Sequence, residues 1–388
     1  MHYRYVILGA GRQGVALAYD LARNGQAAHI VLADSSRSIA QQAVARLESL
    51  PTAGCRFEAA ACDVADTRAV AALLRGADVA LSAVPYRYNV ALTDAAIDAG
   101  VSFNDLGGNT DVVRAQLDRH ERAAAAGVSI VPDCGLAPGL GNIIAAYGLT
   151  QLDDPQHVHV RCGGLPQERV GPLAYKLVFN FQGLVNEYSG LAEFIRDGRI
   201  VNVPTLGESE PIEFPSPVGR CEAAVTSGGT STCPRSFLGK LQTYDYKTVR
   251  YPGHWDVIRA MFALGCFDER VEVAPGEFIE PKPILRRLME SRLAFPEVRD
   301  LVVLRITVSG THAGRPRTLC WDLLDFQDEA TGFSAMERTT AFPTALVAHL
   351  QARRQIQPGA RPLERCLPLQ TYVDELPSHD IRLTRREC

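Results

Sequence analysis

Gly9, Gly11 and Gly14 stand at the spacing G-x-G-x-x-G, directly after the apolar run Val6-Ile7-Leu8. Each glycine has a separate task if this loop approaches a phosphate. Gly9 permits the tight turn after a strand. Gly11 removes a Cβ that would hold a pyrophosphate away, and Gly14 lets the next helix lie close to the strand. The helix start then offers N–H groups and the positive end of its dipole. Arg12 and Gln13 fill the loop between these glycines. A helix is expected over residues 15–24, stopped by Gly25. Ile30-Val31-Leu32-Ala33 reads as the next strand, and Asp34 ends it. A carboxylate about 20 residues beyond the loop accepts hydrogen bonds from an adenosine ribose. The loop, the helix and the acid together predict a dinucleotide site. Asp34 favours NAD over NADP, because a carboxylate repels a 2′-phosphate; Arg12 and Arg37 lie close enough in sequence to weaken that preference.

Other polar residues fall where later strands should end. Asp63, with Val64 after it, follows the short strand 57–62. Its carboxylate would either accept from an adenine amine or cap the helix expected over 67–74, and the two roles are compatible. Ala83, Val84 and Pro85 close a fourth strand and would pass the ribose and nicotinamide, since ligands of open α/β sheets bind beyond the strands' carboxyl ends. Tyr86 would point into the cleft, or stand as an exposed loop aromatic. Asp133 leaves a sixth strand, 128–132, in the run Asp133-Cys134-Gly135-Leu136-Ala137-Pro138-Gly139-Leu140-Gly141-Asn142. It puts a carboxylate where a substrate amine would meet the nicotinamide, or caps the helix expected over 142–149. Thr226-Ser227-Gly228-Gly229-Thr230-Ser231-Thr232 is rich in hydroxyls and reads either as a surface loop or as donors to a carboxylate. Arg250, in Tyr246-Lys247-Thr248-Val249-Arg250, has a fork suited to bidentate carboxylate capture.

The elements that position these residues fall into two groups. Strands and helices alternate up to about residue 140, the signature of a doubly wound parallel sheet. From Val158 the pattern changes to longer alternating strands, among them 157–162, 211–214, 243–249, 301–308 and 319–324, with helices over 255–264 and 281–292. The expected fold is α/β: a dinucleotide-binding Rossmann domain over 1–140, an inserted α+β substrate and oligomerisation domain with a mainly antiparallel sheet over 141–334, and a return of 335–388 to the first domain through a helix at 341–352. A chain of 388 residues is long enough for two cores. With 46% hydrophobic and 22% charged residues and a net charge of −4, it has the composition of an ordinary globular protein and no basic tract for nucleic acid. No apolar run approaches a membrane span and no signal peptide is visible, so a cytoplasmic protein without membrane attachment is expected. The ten cysteines are dispersed, with no C-x-x-C pair and no histidine pair at zinc spacing; they are expected to be reduced packing thiols, Cys134 included, with no metal.

The chain resembles the saccharopine dehydrogenase family. The resemblance runs nearly end to end and is carried by Gly9-Ala10-Gly11-Arg12-Gln13-Gly14, Pro85-Tyr86, Asp105-Leu106-Gly107-Gly108, Asp133 to Gly139, and Lys247-Thr248-Val249-Arg250-Tyr251-Pro252-Gly253-His254. Within the family, Thr226 to Thr232 followed by Arg235-Ser236-Phe237 looks most like the lysine 6-dehydrogenases. That likeness implies oxidation of the ε-amine of L-lysine by NAD, giving allysine that cyclises to Δ1-piperideine-6-carboxylate. It also implies a homo-oligomer, most simply a dimer. By motif position, Tyr86, Asp133, Thr248 and Arg250 would lie at an amino-acid substrate, with Thr226 and Ser227 beside them and Asp105 near the cofactor. Lys176 and His254 are secondary candidates for proton handling, each set against a structural role. Two features lean elsewhere: Cys134 stands where saccharopine reductases typically have proline, and Lys176 in Ala174-Tyr175-Lys176-Leu177 matches the reductase pattern. The alternatives are a saccharopine-type reductase joining an aldehyde and an amino acid, and a nucleotide-binding regulator without turnover.

Overall fold

In the computed structural model, which describes residues 2–52 and 54–387, two large sheets share one continuous core. The first region runs β1 (Tyr3–Leu8), α1 (Arg12–Asn24), β2 (Ala27–Asp34), α2 (Arg37–Glu48), β3 (Arg56–Ala61), α3 (Thr67–Leu74), β4 (Val79–Ser82), α4 (Asn89–Ala99), β5 (Ser102–Asp105), α5 (Thr110–Leu117), α6 (His120–Ala125) and β6 (Ser129–Val131). Then follow α7 (Leu140–Leu149), β7 (Asp154–Pro166), α8 (Phe181–Tyr188), β8 (Leu191–Arg196), β9 (Arg199–Pro204), β10 (Glu210–Phe214), β11 (Gly219–Val225), α9 (Cys233–Phe237) and β12 (Thr243–Arg250). The remainder comprises α10 (His254–Ala263), β13 (Val271–Ala274), β14 (Glu277–Ile279), α11 (Pro281–Arg292), β15 (Asp300–His312), β16 (Arg315–Phe326), α12 (Ala335–Ala352), β17 (Gly359–Ala360), α13 (Leu363–Cys366), α14 (Leu369–Glu375) and β18 (Thr384–Glu387).

The first sheet has the order β17-β6-β5-β4-β1-β2-β3 and is parallel throughout. Its central strands are apolar on both faces, as burial between two helical layers requires. The second sheet is ordered β10-β11-β12-β7-β15-β16-β18, with the β8–β9 hairpin attached to β12; β7 and β12 are its one parallel pair. The expected fold class is thus observed. Helix α7 bridges the sheets and is buried on almost every side. Two of its glycines make that closeness possible: a Cβ on Gly141 would lie 3.3 Å from Val160, and one on Gly148 would lie 2.7 Å from Val308 and 2.8 Å from Trp321.

The chain returns to the first sheet through α12, which packs on α1 and β5. This helix starts at Ala335, six residues before the expected point, because Ser334 and Glu337 form a capping box. The last strand, β18, lies on the second sheet beside β16. Helices α5 and α6 are separated at Asp118–Arg119, where ψ of Arg119 opens to 7° and its guanidinium is bound to Asp94 of α4. All nine cysteines among the described residues are free thiols.

Candidate functional site

The glycine loop sits at the carboxyl ends of β1 and β4. Gly9 has φ +100°, and a Cβ there would lie 2.8 Å from Ala83 O and 3.0 Å from the Val84 side chain. Gly14 is tighter still: its Cβ would fall 1.9 Å from Gly9 O. Gly11 differs from both, since a Cβ on it would meet nothing within 4 Å. The loop therefore packs closely on its own strand and leaves open space at its middle glycine. That is the cradle a dinucleotide pyrophosphate needs, so the residues fit the cofactor expected of them.

Asp34 is half-buried at the end of β2. Its carboxylate accepts from Ala10 N at 3.2 Å and from Ser36 N at 3.0 Å, which holds it beside the glycine loop. Arg37 is exposed at the start of α2. The Arg12 and Gln13 side chains turn toward the start of α12: Arg12 Nε donates to Glu337 and its Nη2 to Ser334, while Gln13 donates to Met336 O. Asp63 is exposed and accepts from Ala65 N in a turn at the strand end; the cap of α3 is Asp66, which accepts from Arg68 N and Ala69 N. Val64, Ala83 and Val84 are partly buried at the same sheet edge, and Pro85 is exposed.

The carboxyl ends of β5 and β6 build a second glycine turn. Asp105 is buried, and protein donors fill its carboxylate: Gly107 N at 2.8 Å, Asp133 N at 3.3 Å and Gln116 Nε2 at 2.7 Å. It organises the turn rather than projecting toward a nucleotide. Asp133 leaves β6 in left-handed backbone, with φ +61°, a conformation a non-glycine residue holds only when its surroundings enforce it. Its side chain occupies the space a Cβ on Gly107 would need, with Oδ1 2.1 Å from that position. Tyr86 packs over the neighbouring Gly108. The turn thus brings Tyr86 and Asp133 to its two glycines. Ser231 donates to Asp133 Oδ2, and the backbone N–H of Gly108 stands close enough to favour the carboxylate, although Oδ1 has no partner at full hydrogen-bond geometry among the described residues. Burial, reinforced by the charge of Asp105, raises the Asp133 carboxyl to about 8.

The hydroxyl-rich stretch is not an exposed loop. Thr226, Thr230, Ser231 and Thr232 are buried. Asn142, at the start of α7, anchors the stretch by donating to Gly229 O and Thr230 O. Thr232 and Ser236 donate to the buried Glu364 of α13, whose carboxyl is also raised, first by its burial. Ser227 Oγ donates to Asn186 O, and Asn186 donates to Gly108 O, so α8 clasps both the stretch and the glycine turn. A cleft of ≈ 230 Å³ opens here, lined by Asn186, Ser227, Ser231, Glu193, Asp111 and Arg114 among others. Ser231 forms its wall and touches Asp133 behind it.

Thr248 and Arg250 lie on β12, with Thr226 at 2.7 Å from Thr248. Protein groups already fill the Arg250 fork. Nε donates to Tyr188 OH at 2.9 Å, Nη1 to Val249 O at 3.0 Å, and Nη2 lies 3.6 Å from Glu187. The rings of Tyr175, Tyr188 and Trp255 enclose the guanidinium. Glu187 also accepts from Thr248, so its carboxylate sits where the expected clamp would hold a ligand carboxylate. His254 is tied at both ring nitrogens, to Tyr188 OH and to Leu173 O at 3.0 Å each. Burial, then Arg250, lowers it to about 3 and keeps it neutral. Lys176 bonds to Val298 O, and its charged neighbours are Asp300, Arg12, Glu297 and Glu337, on the nucleotide-loop side rather than at Thr248.

Glu187, Asn142 and Glu364 were not anticipated from the sequence. A signal for Glu187 exists: Asn180 followed by Phe181, Leu184, Val185 and Tyr188 is a capped helix with an i, i+3, i+4, i+7 apolar face, and Glu187 lies off that face. Nothing local marks the other two.

Comparison with known proteins agrees with this arrangement. A family model for the saccharopine dehydrogenase NADP binding domain matches residues 5–131, and one for the saccharopine dehydrogenase C-terminal domain matches residues 135–381. The chain is 24% identical over 258 residues to a saccharopine dehydrogenase [NADP(+), L-glutamate-forming] of Schizosaccharomyces pombe, covering 64% of this chain and 56% of that protein. It is 21% identical over 355 residues to the mitochondrial alpha-aminoadipic semialdehyde synthase of Rattus norvegicus, covering 74% of this chain and 38% of that one. The chain thus spans little more than half of the first relative and a smaller part of the second. The apo saccharopine dehydrogenase (L-Glu forming) of Saccharomyces cerevisiae has the same fold, with a TM-score of 0.80 at 18% identity over the full length of both chains. With matching family models laid end to end from residue 5 to residue 381, the chain belongs to the saccharopine dehydrogenase family.

Proposed function

We propose that the protein is a nicotinamide-dependent oxidoreductase acting on a carbon–nitrogen bond of an amino acid, and that its reaction is the NAD-dependent oxidative deamination of the ε-amine of L-lysine. The observation that carries this reading is Asp133. It is a buried carboxyl raised to about 8, held by Ser231 at the wall of a polar cleft. Hydride leaves a carbon bearing nitrogen only when that amine is neutral, and a free ε-ammonium has a pKa of about 10.4. A base tuned near the working pH, in a site that disfavours the ammonium by desolvation, meets that need. Asp133 takes the proton, and Ser231 orients the carboxylate. The nicotinamide, when bound, accepts the hydride. Water then adds to the imine and ammonia leaves, giving allysine, which cyclises to Δ1-piperideine-6-carboxylate. Tyr86 forms the wall over Gly108. Thr226 and Thr248 are the donors for the substrate carboxylate, with the Arg250 charge behind them and Glu187 giving way.

The cleft chemistry supports a single amino acid. Arg114 is the one cation among its lining residues, and it is shared between Asp111 and Glu193, both at 3.1 Å. A secondary amine of the saccharopine type carries three carboxylates and calls for several free cations. The likeness to saccharopine dehydrogenases favours the second reading, a saccharopine-type reductase. Asp34 supports NAD. The test is NADH formation by the purified protein with NAD and a panel of amino acids at alkaline pH, alongside NADPH oxidation with paired aldehydes and amino acids. L-Lysine should turn over with NAD. Turnover with another amine and none with L-lysine would reject the substrate, and NADPH-driven condensation would establish the reductase instead.

A further inference from the structure

The end of α12, the end of α14 and the turn after it bring His349, Glu375 and His379 together on the side of α1 away from its glycine loop. One ligand atom from each lies within 4.8 Å of the other two. We propose that this cluster is a divalent transition-metal site of the zinc class, a His2Glu set that ties the end of α12 to α14 and the turn after it, with Asp20 of α1 behind it.

Two independent features point to a ligand. His349 is only 4% exposed, yet neither of its ring nitrogens has a hydrogen-bond partner among the described residues. A folded interior rarely leaves such groups unsatisfied, because they lose their bonds to water and gain none in return. A metal would use one nitrogen directly. His379 shows the complementary arrangement. Its Nδ1 lies 2.6 Å from Asp20 Oδ2, and both side chains are buried. A carboxylate behind one ring nitrogen fixes the tautomer and ring angle, and turns the other nitrogen's lone pair toward a metal. Asp20 is itself held, accepting from Asn24 at 2.8 Å. Glu375 accepts from Arg353 through Oε1 at 2.7 Å, which orients the carboxylate and leaves its second oxygen for coordination.

Two imidazoles and one carboxylate suit zinc and its neighbours, whereas magnesium and calcium take all-oxygen sets. Bonds of about 2.0–2.1 Å at tetrahedral angles put ligand atoms about 3.3 Å apart. The cluster must therefore close somewhat on binding. Glu375, with 26% of its side chain exposed, is the member free to move and the side from which an ion would enter. Asp20 lies eight residues beyond Arg12 along α1, about 12 Å from the phosphate end of that helix. The site would serve stability, not hydride transfer.

The test uses full-length protein freed of metal by a chelator. Co2+ should bind once per chain with the intense visible absorption of a tetrahedral site, Zn2+ should displace it, and Zn2+ should raise the melting temperature. Glu375→Gln, at a partly exposed position, should weaken binding at least about tenfold and abolish the thermal shift. Asp20→Asn should weaken it about tenfold through His379 alone. His349→Asn should eliminate the cobalt spectrum; if that variant fails to fold, Glu375→Gln and Asp20→Asn still decide. No saturable one-to-one binding would overturn the proposal and assign the His349 nitrogens to bound water. Unchanged affinity in Glu375→Gln would overturn it too, marking surface histidines as the binders.

Discussion

The two glycine turns at the carboxyl ends of the parallel strands use the absence of a Cβ for opposite ends. At Gly11 the missing Cβ leaves open space: apart from its own chain neighbours, a Cβ there would meet no atom of the described residues within 4 Å. At Gly107 the space is filled from within the protein by the Asp133 carboxyl. The first turn keeps its middle glycine open; the second is filled by a buried carboxyl of the protein's own. A dinucleotide supplies its own charge and geometry, so its cradle need only offer backbone donors and room. A proton-accepting carboxyl must be held, desolvated and kept off-scale in pKa by neighbours that never leave.

The largest effect that would break this contrast is at Asp133. Asp133→Asn keeps the shape and the Ser231 contact while removing the proposed base. It should lower kcat by about 100-fold or more, with nucleotide affinity unchanged in a fluorescence titration. A variant with full kcat would remove Asp133 from the chemistry. The same substitution carries a stability signature. The Asp133 carboxyl is near 3.8 when unfolded and about 8 when folded, so the folded state holds more protons between those values. Its contribution to stability is greatest below about pH 4, falls as pH rises toward 8 and is flat above that. Melting curves of Asp133→Asn against pH should lack this decline, and the variant should be the more stable protein at pH 8.

Next comes the pair at Arg250. A guanidinium only 2% exposed, bound to Tyr188 and facing Glu187, is part of the interior. Arg250→Ala should therefore lower stability by about 3–5 kcal/mol in denaturant titration, besides raising the KM for the amino acid. A raised KM with unchanged stability would mean that the fork is free for a ligand after all. At the cradle, Gly11→Ala should leave the melting temperature unchanged and weaken nucleotide binding about tenfold, the equivalent of one charged hydrogen bond. Gly14→Ala, with its Cβ 1.9 Å from Gly9 O, should lose stability as well as binding. The smallest expected change is at Asp34: Asp34→Ser should shift the ratio of NAD to NADP affinity by about tenfold toward NADP, and an unmoved ratio would remove Asp34 from the ribose.

The difference between the two turns is also a difference in legibility. Gly9, Gly11, Gly14 and Asp34 lie within 26 residues, and the contacts that give them meaning are a strand, a turn and a helix start. Helices 67–74 and 281–292 are readable for the same reason, each being bounded by its own caps or apolar period. The β8–β9 hairpin carries a local signal of the same kind, Asp197-Gly198 between two strands, with both residues at positive φ. The surroundings of Arg250 had none of that kind. Its fork suggested a ligand, but a fork also satisfies a buried carboxylate, and only the placement of α8 against β12 shows that Glu187 reaches it.

The sequence alone established that the chain has a glycine cradle ending in an acid, a parallel sheet and a later antiparallel one, because those depend on spacings of a few residues and on the periods of helix and strand. Tertiary structure decided which polar residues meet. Asp133 with Ser231, Thr232 with Glu364, and His349 with His379 are joined across 98, 132 and 30 residues. No local propensity specifies such pairs. They follow from how two sheets and α12 close one core, and it is that closure which removes water from Asp133 and gives its carboxyl a pKa no free aspartate has.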